Sequence, residues 1–267
     1  MIDIITSLKY LRLIKSELIK LQKTAVIWLT IGLAIFVPLI KFIAFCYKWK
    51  YMIPKKGENP WDSFVNNNWQ VTDMLLLPFF IILIVNLIVQ IEHKSIAWKQ
   101  LFVQPIKRID IYLTKLIVLL FVIVSFLAIS FISALGLGVL LGILRPQLGL
   151  MSFSPDYADL LLMGIKSFCS VLGIIGFQYL ISLRFKNFAI PLGFGICGVI
   201  SAQFLWMWEK SIYFFYTSPV LTAYAYKGNL HPDKIGFLAL HELYSIIFFI
   251  SCLVAGYMWD RKKTIVL

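Results

Sequence analysis

Few residues in this chain have the types and spacing that bond-making chemistry needs. His241 stands directly before Glu242, and Glu92 directly before His93. A zinc-binding helix of the H-E-x-x-H kind sets its two histidines four residues apart, so that both reach one metal. Neither pair here has such a second histidine, and His231 stands alone. Cys46, Cys169, Cys197 and Cys252 are far apart, in or beside apolar runs, with no C-x-x-C and no Cys/His pair at ligand spacing. They read as small apolar core residues. No G-x-S-x-G elbow presents a nucleophile, and no G-x-x-x-x-G-K-[ST] loop cradles a phosphate. No metal site is expected, and catalysis by this chain alone is not expected.

The remaining candidates are polar groups inside apolar stretches. Lys41 and Lys166 would each cost about 2.5–3.5 kcal/mol at the centre of a bilayer. Lys41 lies near the end of its stretch and can snorkel. Lys166 lies about two turns into its own, so it must pair, with Asp159 or Glu242, or face a polar cavity. Asp73 opens another stretch, and Asn86, Gln90, Gln178 and Gln203 are neutral but polar. Lys166, Asn86, Gln178, Gln203 and Glu242 are therefore candidates for the polar lining of a translocation route. The competing role for them is interhelical hydrogen bonding plus snorkelling. No dense proton relay is present.

The elements that must position these groups follow from composition. The 267 residues are 60% hydrophobic, 16% aromatic and only 14% charged, whereas soluble domains are about half apolar and about a quarter charged. The chain reads as an all-α integral membrane protein, a single transmembrane domain over 1–267. Six stretches approach the roughly 20 apolar residues that a span needs: 24–45, 72–91, 116–144, 159–183, 188–208 and 235–259. All should be helical, because hydrocarbon cannot satisfy backbone groups. Gly136, Gly138 and Gly142 in the third stretch, and Gly193, Gly195 and Gly198 in the fifth, suit close helix packing or a moving gate.

Residues 1–23 form a separate pattern. Ile4, Leu8, Leu11, Ile14, Leu18 and Leu21 share one side, and Lys9, Arg12, Ser16, Lys20 and Lys23 the other, with Lys15 on the apolar edge. This predicts an amphipathic helix lying on the membrane surface, against the alternative of a solvated basic leader. The charged stretch is too long for a cleavable signal. Residues 46–71 are expected as a long outer loop. Residues 209–234 are too aromatic for a solvated one, and Ser218-Pro219 there predicts the cap and first residue of a short helix, 219–226, ended by Gly228.

Charge sets the orientation. Fifteen of the 25 cations fall in the N-terminal segment, the 91–115 connection, Arg184 to Lys186 and the C-terminal tail, against five acids. The positive-inside rule then puts both termini in the cytoplasm, which accounts for most of the net charge of +12 without nucleic acid as a partner. The 91–115 connection is the most unusual. It interleaves Lys94, Lys99, Lys107, Arg108 and Lys115 with Trp98, Leu101, Phe102, Ile106 and Tyr112. A plain connection needs no such apolar content. A surface gripped by lipid headgroups or by a protein does.

Glu92, Ala97-Trp98-Lys99, Leu101-Phe102, Pro105, Arg108 and Tyr112-Leu113-Thr114-Lys115 resemble the cytoplasmic segment of permease subunits in the type-2 class of ABC exporters. Lys94-Ser95-Ile96 departs from the N-G-T-like turn of many members. Ser16-Glu17-Leu18-Ile19-Lys20-Leu21 is similar to the family's S-E-L-x-K-L leader. Length and loop pattern look most like the permeases of lantibiotic and peptide-antibiotic immunity. The resemblance implies a half-transporter that pairs with a second permease, identical or sister. Two ATPase subunits, carrying the ATP and Mg that this chain lacks, would dock beneath. It makes residues 94–103 a coupling helix ended by Pro105, with Glu92, Lys94, Trp98, Lys99, Leu101, Phe102, Pro105 and Arg108 as ATPase-coupling residues. The alternative is a helix resting on anionic lipid. It further implies export of an amphipathic cargo, a peptide antibiotic or lipid-like molecule, across a bacterial plasma membrane. The rival functions are a membrane-embedded enzyme (an intramembrane hydrolase or acyltransferase) and a non-transporting scaffold or sensor.

Overall fold

A computed structural model describes residues 2–22, 24–54, 57–94, 108–225, 234–235 and 237–262. These are mostly helical. Helix α1 (Ile2–Gln22) lies at one end of a bundle made by α2 (Val26–Tyr47), α3 (Pro60–Val71), α4 (Leu77–Lys94), α5 (Arg108–Leu144), α6 (Tyr157–Arg184), α7 (Ala189–Leu205), α8 (Ser218–Ala225) and α9 (Leu240–Lys262). Two-residue strands β1 (Lys234–Ile235) and β2 (Leu238–Ala239) pair antiparallel just before α9.

Among the described residues five helices are long and apolar enough to cross a membrane: Val26–Tyr47, Pro60–Ile91, Ile109–Leu144, Tyr157–Arg184 and Leu240–Trp259. Helix α7 is apolar but has only 17 residues, about 25 Å at 1.5 Å per residue. It sits at the lower limit for a span.

Several helices differ in extent from the apolar stretches expected as spans. The second stretch begins at Pro60 rather than at 72, because α3 continues into α4 through a π-helical turn at Thr72–Leu76. Half of the supposed 46–71 loop is therefore helix. Asn59 caps it by accepting from the Trp61 amide (3.1 Å), and Pro60 stands at its first position, where a missing N–H costs nothing. The third stretch begins at Arg108 rather than 116, giving 37 helical residues, or about 55 Å. The last helix begins at Leu240 rather than 235, because the β1–β2 ribbon occupies the preceding residues.

Contacts fix the helix directions. Trp69 stacks on Phe131 and Phe80 on Phe126, so α3–α4 and α5 run antiparallel. Ser167 bonds Asp73 and Ser182 bonds Asn86, so α6 runs parallel to α4. Gln203 reaches Met74, and Gly195 abuts Ile82, so α7 runs antiparallel to α4. Gly173 meets Ser245, and Gly176 meets Phe249 and Cys252, so α9 runs parallel to α6. Helix α4 is the centre: Phe80, Ile81, Ile82, Ile84 and Val85 are fully buried. Helices α2 and α9 are peripheral and turn Trp28, Phe36 and Ile40, and Ile247, Ile250 and Val254, outward. An all-round apolar helix with an exposed apolar side suits lipid.

Candidate functional site

The polar groups of the bundle fall in three layers. The first lies where α1 crosses the start of α5. Glu17 is buried between Lys115, whose Nζ is 3.2 Å from Oε2, and Lys20. Tyr10 donates to Asp110 (2.8 Å), and Thr114 donates to the Asp110 carbonyl (2.6 Å). Burial pushes the Glu17 carboxyl up, but the Lys115 charge and the bonds from both lysines outweigh it and hold the group below the usual carboxylate range. Lys115 is almost wholly buried. The leader is thus tied by an ion pair to the helix that leaves the 91–115 connection. Glu92 and Lys94 lie in the last turn of α4, and Arg108 opens α5. Trp98, Lys99, Leu101, Phe102 and Pro105, and with them the coupling helix, lie outside the described residues.

The second layer joins α4, α6 and α7. Asn86 accepts from Ser182 (2.7 Å) and donates to the Ile82 carbonyl. Gln178 donates to the Pro191 carbonyl (2.8 Å), holding the first turn of α7. Gln90 does the same to Lys186 (2.9 Å) in the α6–α7 connection. Farther along, at the level of Asp73, Gln203 donates to the Met74 carbonyl (2.8 Å). Proline explains that last bond: Pro78 has no N–H to offer the carbonyl four residues earlier, and that carbonyl is Met74. A glutamine on the neighbouring helix supplies the missing donor. Beside the Gln90 level, Thr24, Ala25, Val26, Leu87, Gln90, Ile91 and Phe188 line a cavity of about 330 Å³ between α2, α4 and α7.

The third layer lies at the end away from α1. Lys166 pairs with Glu242 (3.3 Å) and donates to the Phe237 carbonyl (3.0 Å). Of the two partners expected for it, Glu242 is the ion-pair partner seen. Glu242 also accepts from the Ala239 amide (2.9 Å). It stands three residues into α9 and reaches back to the residue before it, as in a capping box. The His241 Nε2 lies 2.9 Å from the Thr222 hydroxyl of α8. Ser218 donates to the His241 carbonyl (3.1 Å), so its hydroxyl fastens α8 to α9. The Asp73–Ser167–Trp69 group joins α3–α4 to α6 in this layer: the Trp69 indole donates to the Ser167 hydroxyl (2.9 Å), which in turn bonds Asp73.

The five candidate route residues are therefore found in separate pairs at different depths, each bound to another helix or segment. Trp69, Ser167 and Ser245 were not read from the sequence as site residues. Trp69 fell in an expected loop, and a lone serine in an apolar stretch carries no pattern. Among the described residues no group of three or more His, Cys, Asp or Glu gathers to hold a metal.

Long apolar helices tied to one another by sparse, paired polar groups define a multi-pass membrane component. A family model described as ABC-2 family transporter protein matches residues 13–202. The match covers well over half of the chain, and the chain belongs to that family: it is an ABC-2 type permease. No curated protein and no solved structure matches it significantly.

Proposed function

We propose that the chain is the permease half of an ATP-driven exporter that moves an amphipathic cargo, a peptide antibiotic or lipid-like molecule, out of the cell or the bilayer. Family membership over residues 13–202 carries this proposal. Energy would come from two separate ATPase subunits, and a second permease would complete the route. The 94–103 segment would be the coupling helix, with Glu92, Lys94, Trp98, Lys99, Leu101, Phe102, Pro105 and Arg108 facing the ATPase. The α1 end would then be cytoplasmic, in a bacterial plasma membrane.

Six crossings suit this arrangement. Helices α6 and α9 run parallel, so a chain that enters the membrane twice in one direction must return between them, and α7 is the helix available for the return. An even count places both termini on one side, in keeping with the charge distribution. The apolar cavity between α2, α4 and α7 supports a cargo with an apolar part. Lys166, Glu242, Asn86, Gln178 and Gln203 would border the route only where the helices part, since each is bound across a helix interface in the closed bundle.

The test is co-purification. The chain, expressed with the ATPase encoded beside it, should elute with that ATPase and change its ATP turnover. Separate elution with unchanged turnover contradicts the proposal and favours a scaffold.

A further inference from the structure

The cavity of about 330 Å³ lies where three helix ends meet: the start of α2 at Val26, the start of α7 after Phe188, and the last turns of α4 at Leu87 and Ile91. Its volume is at the small end of ligand pockets. Its two polar side chains are turned to the protein. Thr24 donates to the Leu21 carbonyl (2.8 Å) and accepts from the Val26 amide (3.3 Å). Gln90, only 5% exposed, donates to the Lys186 carbonyl (2.9 Å). The remaining lining is alanine, valine, leucine, isoleucine and phenylalanine. Water needs about two to four polar partners in such a space, so an apolar occupant suits it better. Ala25 is exposed, and Leu87, Ile91 and Phe188 are half-buried, so the cavity opens at the surface. The surface around that opening is apolar as well: Ile27 and Trp28 on α2, and Ile190 and Phe194 on α7, point outward. Such sides suit lipid.

The rim is basic. Lys186 is exposed, and the Gln90 bond sets its backbone beside the cavity. In the sequence Lys23 directly precedes Thr24 and Lys94 follows Ile91 by three residues, with Glu92 as the one acid in these rim segments. The first turns of α2 and α7 carry no acid, and each presents the positive end of a helix dipole. We propose that this cavity holds an acyl chain of an anionic phospholipid from the leaflet at the α1 end, with the headgroup at Lys186 and the chain along Val26, Leu87, Ile91 and Phe188. A peptide segment would bring backbone groups that this lining cannot bond, whereas a methylene chain brings none. Seated there, the chain packs α2 against the ends of α4 and α7, where the protein itself leaves a gap. This inference uses only the membrane placement of the chain and does not rest on the ATPase or export reading.

Native mass spectrometry of the purified, delipidated full-length chain tests it, with phosphatidylglycerol and phosphatidylcholine of the same acyl chains as probes and no ATPase present. Wild type should bind one phosphatidylglycerol in preference to phosphatidylcholine. Lys186→Gln, at an exposed side chain, should weaken phosphatidylglycerol about fivefold and leave phosphatidylcholine unchanged. Ala25→Trp, which sets a ring in the opening, should weaken both lipids while melting in lipid-free detergent like wild type. Equal binding of the two lipids overturns the anionic headgroup, and lipid binding that neither variant alters is annular only and overturns the site. A wild-type dimer that retains no lipid and that Ala25→Trp dissociates overturns it in favour of a second copy of the chain. If Ala25→Trp does not fold, Leu87→Phe fills the cavity in its place and is read the same way.

Discussion

At the residue scale, the bundle repeatedly answers one buried polar group with a second on another helix. The Glu17–Lys115 pair is the sharpest case. Removing one partner of a buried pair costs about 3–5 kcal/mol, because the other charge is left uncompensated. Lys115→Met should therefore destabilise the detergent-solubilised protein strongly, and adding Glu17→Gln should recover most of the loss in thermal melts. The pH dependence follows from the lowered Glu17 pKa. A carboxyl whose folded pKa lies below its unfolded value contributes stability that is present above the unfolded pKa. That contribution is lost as pH falls through the folded one. Wild type should lose stability on acidification below the usual carboxylate range, and Glu17→Gln should lack that component. Gln203 offers a second test. Gln203→Leu leaves the Met74 carbonyl without a donor, a loss of about 1–3 kcal/mol. Pro78→Ala restores a backbone N–H where the carbonyl needs one, so the double variant should melt closer to wild type than Gln203→Leu does.

At the scale of elements, most helices were legible because apolar length is a strong signal. The misses have particular causes. Residues 60–71 contain Asp62 and three successive asparagines, so hydropathy alone reads them as loop. The Asn59-Pro60 start was the signal for a helix, and buried Trp61 and Trp69 hold it in place. The Trp61 indole donates to the Leu150 and Phe153 carbonyls (2.8 and 3.0 Å), a contact between segments 89 residues apart or more, which local pattern cannot reveal. The extra turns of α5 were hidden because Arg108, Asp110 and Lys115 look like the end of a loop, although Asp110 and Lys115 are buried against α1. The glycines divide by what they touch. A Cβ on Gly138 would strike the Trp61 ring, and one on Gly198 the Tyr216 ring, whereas Gly136 and Gly193 face open space. Gly138→Ala and Gly198→Ala should each lower stability by about 1–3 kcal/mol, and Gly136→Ala and Gly193→Ala should not. Melting temperatures of the four variants separate packing from mere apolar filling.

At the scale of the whole molecule, membrane class and family were readable from composition and from the 91–115 and 16–21 segments. The polar pairs were not, because they depend on which helices become neighbours. Lys166 needed a partner on physical grounds, but only the parallel packing of α6 and α9 selects Glu242. Asp73 looked like the start of a span and lies within one. The exposed apolar sides of α2 and α9 are suited to lipid, and α4 is the buried centre of the bundle.

The central claim is that this bundle is driven from its 94–103 segment by an ATPase on another chain. Trp98→Ala tests it most directly, in a binding titration of the purified chain with the ATPase encoded beside it. A buried aromatic anchor is worth more than about 2 kcal/mol at an interface, so affinity should fall roughly 30-fold and the change in ATP turnover should be lost, with the melting temperature of the permease unchanged. Equal affinity and equal turnover for wild type and Trp98→Ala would contradict the account.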